Sequence, residues 1–220
     1  RSVTALITAL NDSDDAVRAD AASALGELND ARAVRPLIPL LTDRADRARL
    51  SAEAALEKLD GDIEALVAAL GAPEGKVRRF AARSLGKQRW KPGNARERAL
   101  LAIAESAFHK CVKEADDAVE PLIGVLGDSD ASARKRSAMA LRQIGPPAVE
   151  PLIAALGHSS SVVRGAAAQV LGELRDARAV EPLCRALRFK GQVNVAAIQA
   201  LAAVGDQRAI EPMIAFLEGE

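Results

Sequence analysis

Two histidines and two cysteines are the side chains of this 220-residue chain best suited to soft-metal ligation or thiol–imidazole nucleophilic chemistry. His109 and Cys111 are two positions apart, and on a helix such neighbours point to different sides, which argues against a Cys–His pair. His158 lies in the polar turn Gly157-His158-Ser159 and reads as a solvated turn residue rather than a ligand. With so few imidazoles a metal site would draw mostly on carboxylates. No phosphate-binding glycine loop and no G-x-S-x-G elbow occurs. The sequence therefore predicts no catalytic residue, no metal and no cofactor. Cys111 and Cys184 are too few and too separated for a disulfide framework, and read as free, mostly buried thiols in a reducing compartment.

Charge is the stronger signal. Lys76, Arg79, Arg83 and Lys87 are spaced 3, 4 and 4, so on a helix they form one exposed line. From Lys76 to Arg98 nine basic residues oppose Glu97 alone, a net of +8, whereas residues 1–75 hold eight basic and fourteen acidic side chains, a net of −6. Over the whole chain thirty basic and thirty acidic residues cancel, which argues against nucleic acid as the partner.

The elements that carry these residues follow from a recurrence. VVRGAAAQVLGEL, from Val162, repeats the text AVRADAASALGEL, Ala16–Leu28. Aligned on the leucine of A-L-G, the copies give Leu25, Leu56, Leu85, Leu141, Leu171 and Leu201, at steps of 31, 29, 56, 30 and 30 residues. A fixed period of this length signals stacked supersecondary units. Seven residues before each leucine stand Arg18, Arg49, Arg78, Arg134, Arg164 and, in the last copy, Asn194. A companion half-repeat carries Pro36, Pro121, Pro151, Pro182 and Pro212.

The predicted repeats run 1–29, 30–60, 61–88, 116–145, 146–175 and 176–205, with a helical insert at 89–115 and a terminal helix at 206–220, all within one domain. Ser2–Leu10 reads as a helix followed by the turn Asn11–Asp14, then a helix with Val17, Ala21, Ala24, Leu25 and Leu28 on one inward face. In the second repeat Pro36 falls in the first turn of its helix, while Pro39 should kink or shorten it. Asp62–Leu70 and Glu74–Gln88 form the third pair. In the insert, Ala95–Ala107 and Phe108–Lys113 read as helices. Ala118–Leu126 pairs with Ala131–Ile144, Ala148–Leu156 with Ser161–Leu174, and Ala177–Leu187 with Val193–Val204. Ile210, Met213, Ile214 and Leu217 of the last helix need a partner, so that helix either caps the stack or marks a cut end.

Hydrophobic residues make up 49% of the chain and aromatics only 2%, a core of Ala, Leu, Val and Ile that suits close helix packing. There is neither an 18-residue apolar run nor a signal peptide, so no membrane role is expected. The opening at Arg1, without Met and inside an apparent helix, suggests a processed, truncated or recombinant start. The cytoplasm is the default compartment.

The motifs D-x-R-A-V-E-P-L at Asp176 and V-R-x-x-A-A-x-x-L-G-x-L at Val163 resemble HEAT-like repeats of the phycobilisome-lyase (E-Z) type. The resemblance covers nearly the whole chain. Departures are Glu57 in place of the glycine, Asn194 in place of the arginine, and the missing proline of the first and third repeats. The resemblance implies an all-α fold, a right-handed α-solenoid of antiparallel helix pairs whose second helices line a concave side. It also implies that an Asp near the intra-repeat turn pairs with the repeat arginine. Asp12, Asp43 and Asp128 precede Arg18, Arg49 and Arg134 by six residues, but Ala72 and His158 hold that place before Arg78 and Arg164. These five arginines are expected to form a structural ladder.

Deoxyhypusine hydroxylase, a HEAT-like enzyme, ligates iron through His-Glu pairs, and no His-Glu dipeptide occurs here. HEAT-like DNA glycosylases use basic, aromatic concave faces, which one Trp and zero net charge do not supply. Few rings likewise argue against a tetrapyrrole grip. In related arrays the variable positions of the second helix face the groove. Carried over, these include Asp20, Ser23 and Glu27, then Arg79, Phe80, Arg83 and Lys87, then Lys135, Arg136, Met139 and Gln143, then Gln169 and Glu173. Phe80 and Met139 flanked by arginines suit a protein-binding patch for an acidic segment. The bland counterpart is a solvated charged face with Phe80 tucked under the Trp90 insert. The expected function is a non-catalytic protein-interaction scaffold. The alternative is a phycobilin-lyase-like or chaperone-like subunit acting on a chromophore protein.

Overall fold

A computed structural model describes residues 2–59, 62–189 and 191–218. The expected repeat boundary at 60/61 and the extreme ends at Arg1 and 219–220 lie outside the described residues. Those residues form helices and tight turns, with no strand among them. They fall into two compact units, one ending at Gly93 and one starting at Asn94.

The first unit contains α1 (Ser2–Ala9), α2 (Asp15–Leu28), α3 (Val34–Leu37), α4 (Asp46–Lys58), α5 (Ile63–Ala69) and α6 (Gly75–Lys87). Asp14 starts α2 by accepting the Ala16 N–H, and Asp62 starts α5 by accepting that of Ala65. Asn29, left-handed at φ 48°, ends α2. Pro39 has the expected effect: α3 stops at Leu37 and the chain continues as a 3₁₀ turn, Ile38–Thr42.

The inward face of α2 differs from the expected one. Val17 and Leu28 are 40% and 48% exposed, and the buried positions are Ala19, Ala21, Ala22, Leu25 and Gly26. The reason is crowding. α2 lies along α4 so closely that a Cβ on Gly26 would come within 2.8 Å of the Ala55 Cα. Small residues hold that seam, and the branched side chains sit at its edges.

The second unit contains α7 (Ala95–Ala104), α8 (Phe108–Cys111), α9 (Ala115–Val125), α10 (Ala131–Ile144), α11 (Val149–Ala155), α12 (Ser161–Leu174), α13 (Val180–Ala186), α14 (Gln192–Val204) and α15 (Ile210–Glu218). α7 stops at Ala104, three residues short of the expected end, at a turn in which Ser106 has φ 62°. α9 begins at Ala115 rather than Ala118 and carries Pro121 inside it. One apolar core runs from Ala99 through Leu122, Leu141, Leu152, Leu171 and Leu183 to Leu201. α12 packs along α14 through the same glycine seam, with Gly172 against Ala200. On α15, Ile210, Ile214 and Leu217 are exposed.

The D-x-R text has a physical meaning at three helix entries. Asp30, Asp176 and Asp206 each accept the N–H of the residue two positions on, and the arginine at that position folds back onto the same carboxylate. Each motif caps one turn of 3₁₀ helix that leads into a first helix. These first helices therefore start as 3₁₀ turns, not as the continuous α-helices expected.

Candidate functional site

The repeat arginines bind backbone first. The Nη1 of Arg18 donates to the carbonyls of Asp12 and Ser13, that of Arg49 to Asp43 and Arg44, and that of Arg78 to Ala72 and Pro73. Arg134 does the same to Asp128 and Ser129, and Arg164 to His158 and Ser159. The acceptors are always the carbonyls six and five residues back. This corrects the expected Asp–Arg pairing within a repeat: a carbonyl is available whatever side chain stands there, so Ala72 and His158 do not interrupt the pattern.

The aspartates serve the turn instead. Asp12, Asp43 and Asp128 accept the N–H two residues on, at 2.9, 2.9 and 2.8 Å. His158 takes the same role through Nδ1, accepting the Ser160 N–H at 3.0 Å. The carboxylate partner of Arg18 is Asp43 of the next repeat, gripped bidentately by Nε and Nη2 at 2.8 Å each. This grip, opposed by partial burial, holds Asp43 below the usual carboxylate range.

In the first unit Arg79, Arg83 and Lys87 of α6 are exposed, as the stripe requires. Phe80 is not: it is 4% exposed, so it is a core side chain and no surface anchor. Helix register does not account for this, because Arg136 holds the same repeat position and is exposed; the ring itself folds into the apolar side. Arg83 is also engaged, donating to Glu53 of α4 at 3.1 Å. Arg47 pairs with Asp20 at 2.8 Å, and Lys58 with Glu27, so ion pairs cross α2, α4 and α6.

In the second unit Lys135, Arg136, Met139 and Gln143 all lie on the exposed side of α10. Three of them, Arg136, Met139 and Gln143, line a cleft of about 210 Å³ together with Ser106, Phe108 and His109. The Arg136 guanidinium lies over the Phe108 ring, 5.4 Å from its centroid. Met139 is 43% exposed beside it. The residues around α8 were not foreseen as partners of α10. Their signal in the sequence was the insert itself, placed immediately before the fourth repeat.

Among the described residues no three His, Cys, Asp or Glu side chains cluster as a metal site. Cys111 is buried, its thiol facing the Ala99 carbonyl at 3.7 Å, and burial pushes its pKa up to about 11. No helix among the described residues is long and apolar enough to cross a membrane.

Paired helices recurring with a thirty-residue text, and joined by carbonyl-capping arginines, define a helical repeat protein. A family model described as HEAT repeats matches residues 1–61, 119–190 and 149–220, more than half of the chain, and the chain belongs to that family. No curated protein matches it. Solved structures similar to it include human deoxyhypusine hydroxylase (22% identity, 99% of this chain and 78% of that one, TM-score 0.39). The complex of CpcE and CpcF of phycocyanin lyase from Nostoc sp. is 22% identical over 98% of this chain and 94% of that one, with a TM-score of 0.31. The archaeal HEAT-like repeats protein from Thermococcus onnurineus is 16% identical over 93% of this chain and 80% of that one, with a TM-score of 0.34.

Proposed function

We propose that this chain is a non-catalytic scaffold that holds a partner protein through an acidic segment. The observation that carries the reading is the α10 cleft. The exposed Met139 thioether sits beside the Arg136 guanidinium, which covers the buried Phe108 ring and has no ion pair among the described residues. An exposed apolar anchor next to an available arginine is what interface cores use. Arg79 and Lys87 on α6 likewise have no ion pair among the described residues and add positive charge to the other unit. The candidate contacts are thus Arg79, Lys87, Lys135, Arg136, Met139 and Gln143. Phe80 is buried and Glu53 already holds Arg83, so Phe80 offers a partner nothing and Arg83 offers it less.

The test is charge reversal on the two units separately and together, R79E, R136E and the double variant, each used as bait beside the wild type. Loss of the same partner from the double variant, with folding unchanged by circular dichroism, supports the reading. Undiminished recovery by all three counts against it.

A further inference from the structure

Two turns of the repeat lack the capping side chain, at Ala72 and Phe189, and only the second puts a large ring there. Two residues past the leucine that ends each first helix stand Asp12, Asp43, Ala72, Asp128 and His158, and in the sixth repeat Phe189. Four of these side chains accept the N–H two positions on. Phe189 can accept nothing. Arg164 meets its ring face at 4.8 Å in the place where Arg18 meets the Asp43 carboxylate, and the Arg164 Nε is buried with no acceptor. A turn that gives up a cap and leaves a buried donor unmet marks a position kept for something other than stability.

The surroundings say what that is. Phe189 walls a cleft of about 230 Å³ between α11 and α13, floored by Ile153, Leu156 and Ala186. Arg185 and Arg188 stand at its rim, and Arg188 lies 5.6 Å from the Phe189 centroid. Among the described residues no carboxylate lines the cleft and neither rim arginine has an ion pair. Both arginines are exposed and free to take an anion.

We propose that this cleft is a second binding site, distinct from the α10 cleft, for an acidic peptide segment of a partner protein. An apolar side chain of the segment enters against Phe189 and Ile153, and a neighbouring carboxylate takes Arg185 and Arg188. Peptide is favoured over nucleic acid because the floor is aliphatic and one ring supplies no stacking ladder.

The test uses a fluorescein-labelled hexapeptide of alternating glutamate and leucine, read by anisotropy. In an R136E background, which removes the α10 arginine, measurable binding should persist. Adding R185E and R188E, both surface changes, should weaken it at least tenfold, and F189A should weaken it to a similar extent. Loss of all binding in R136E alone, or binding indifferent to R185E and R188E, overturns the proposal. So does tighter binding of a labelled oligouridylate of the same length through the same two arginines. Circular dichroism checks that each variant remains helical.

Discussion

Gly172 lies directly against Ala200: a Cβ added to it would sit 2.6 Å from the Ala200 Cα, and Gly26 stands in the same relation to Ala55 at 2.8 Å. Both contacts are backbone to backbone, so neither helix can yield without moving. Gly172→Ala and Gly26→Ala should each destabilise by about 1–3 kcal/mol, the usual range for overpacking. Gly86 holds the same place in its repeat with nothing within 4 Å. Gly86→Ala should therefore be neutral or stabilise by about 0.5–1 kcal/mol through helix propensity. Urea melts of the three variants check the contrast.

The Arg18–Asp43 link has no counterpart at Arg49 or Arg134, because Ala72 and His158 stand where a carboxylate would reach them. Ala72→Asp and His158→Asp supply that carboxylate. A bidentate pair in an open turn should add about 0.5–1.5 kcal/mol at Arg134, and less at Arg49, whose guanidinium already pairs with Asp46. The measurement is a thermal melt at low and high salt, and the gain should shrink as salt rises.

Ser137 occupies the alanine position of the repeat and is fully buried, donating to the Leu122 carbonyl at 2.5 Å. The Leu126 N–H turns instead to the Ile123 carbonyl. Ser137→Ala should cost about 1 kcal/mol although alanine is what the other repeats carry there. Chemical denaturation measures it.

Acid should weaken the fold between pH 4 and 2. Hydrogen bonds from Arg32 and Arg208 hold the Asp30 and Asp206 carboxyls at about 2, below the ordinary 3.8. Because folding depresses both, their stabilisation is complete above pH 4 and is lost as pH falls through 2. Melting temperatures at pH 7, 4 and 2.5 should show a flat and then a falling course, and R32A/R208A should flatten the fall.

The Cys111 thiol, pushed up to about 11 by burial, should resist a thiol reagent at pH 7 in the folded protein and react once urea unfolds it. Half-buried Cys184 should react before it.

Periodicity made the helices, the pairing and the arginine positions legible, since each follows from spacing alone. What it could not supply was contact distance. Val17 and Leu28 have the spacing of a buried face yet sit outside a seam narrowed by Gly26. Phe80 looked like an exposed variable position because position in a repeat says which way a Cα faces, not where a ring goes. The α10 cleft was half legible. Arg136, Met139 and Gln143 follow from the repeat, but Phe108 and His109 come from an insert with no periodic frame. Asp43 as the partner of Arg18 bridges two repeats, a link between residues 25 apart that the local text does not encode.

Backbone amide mapping tests the scaffold reading most directly. The ¹⁵N-labelled chain would be titrated with the acidic glutamate–leucine hexapeptide. The account predicts shifts that grow with peptide at His109, Arg136, Met139 and Gln143, and that vanish in R136E. A titration leaving those four amides unmoved at saturating peptide would contradict it.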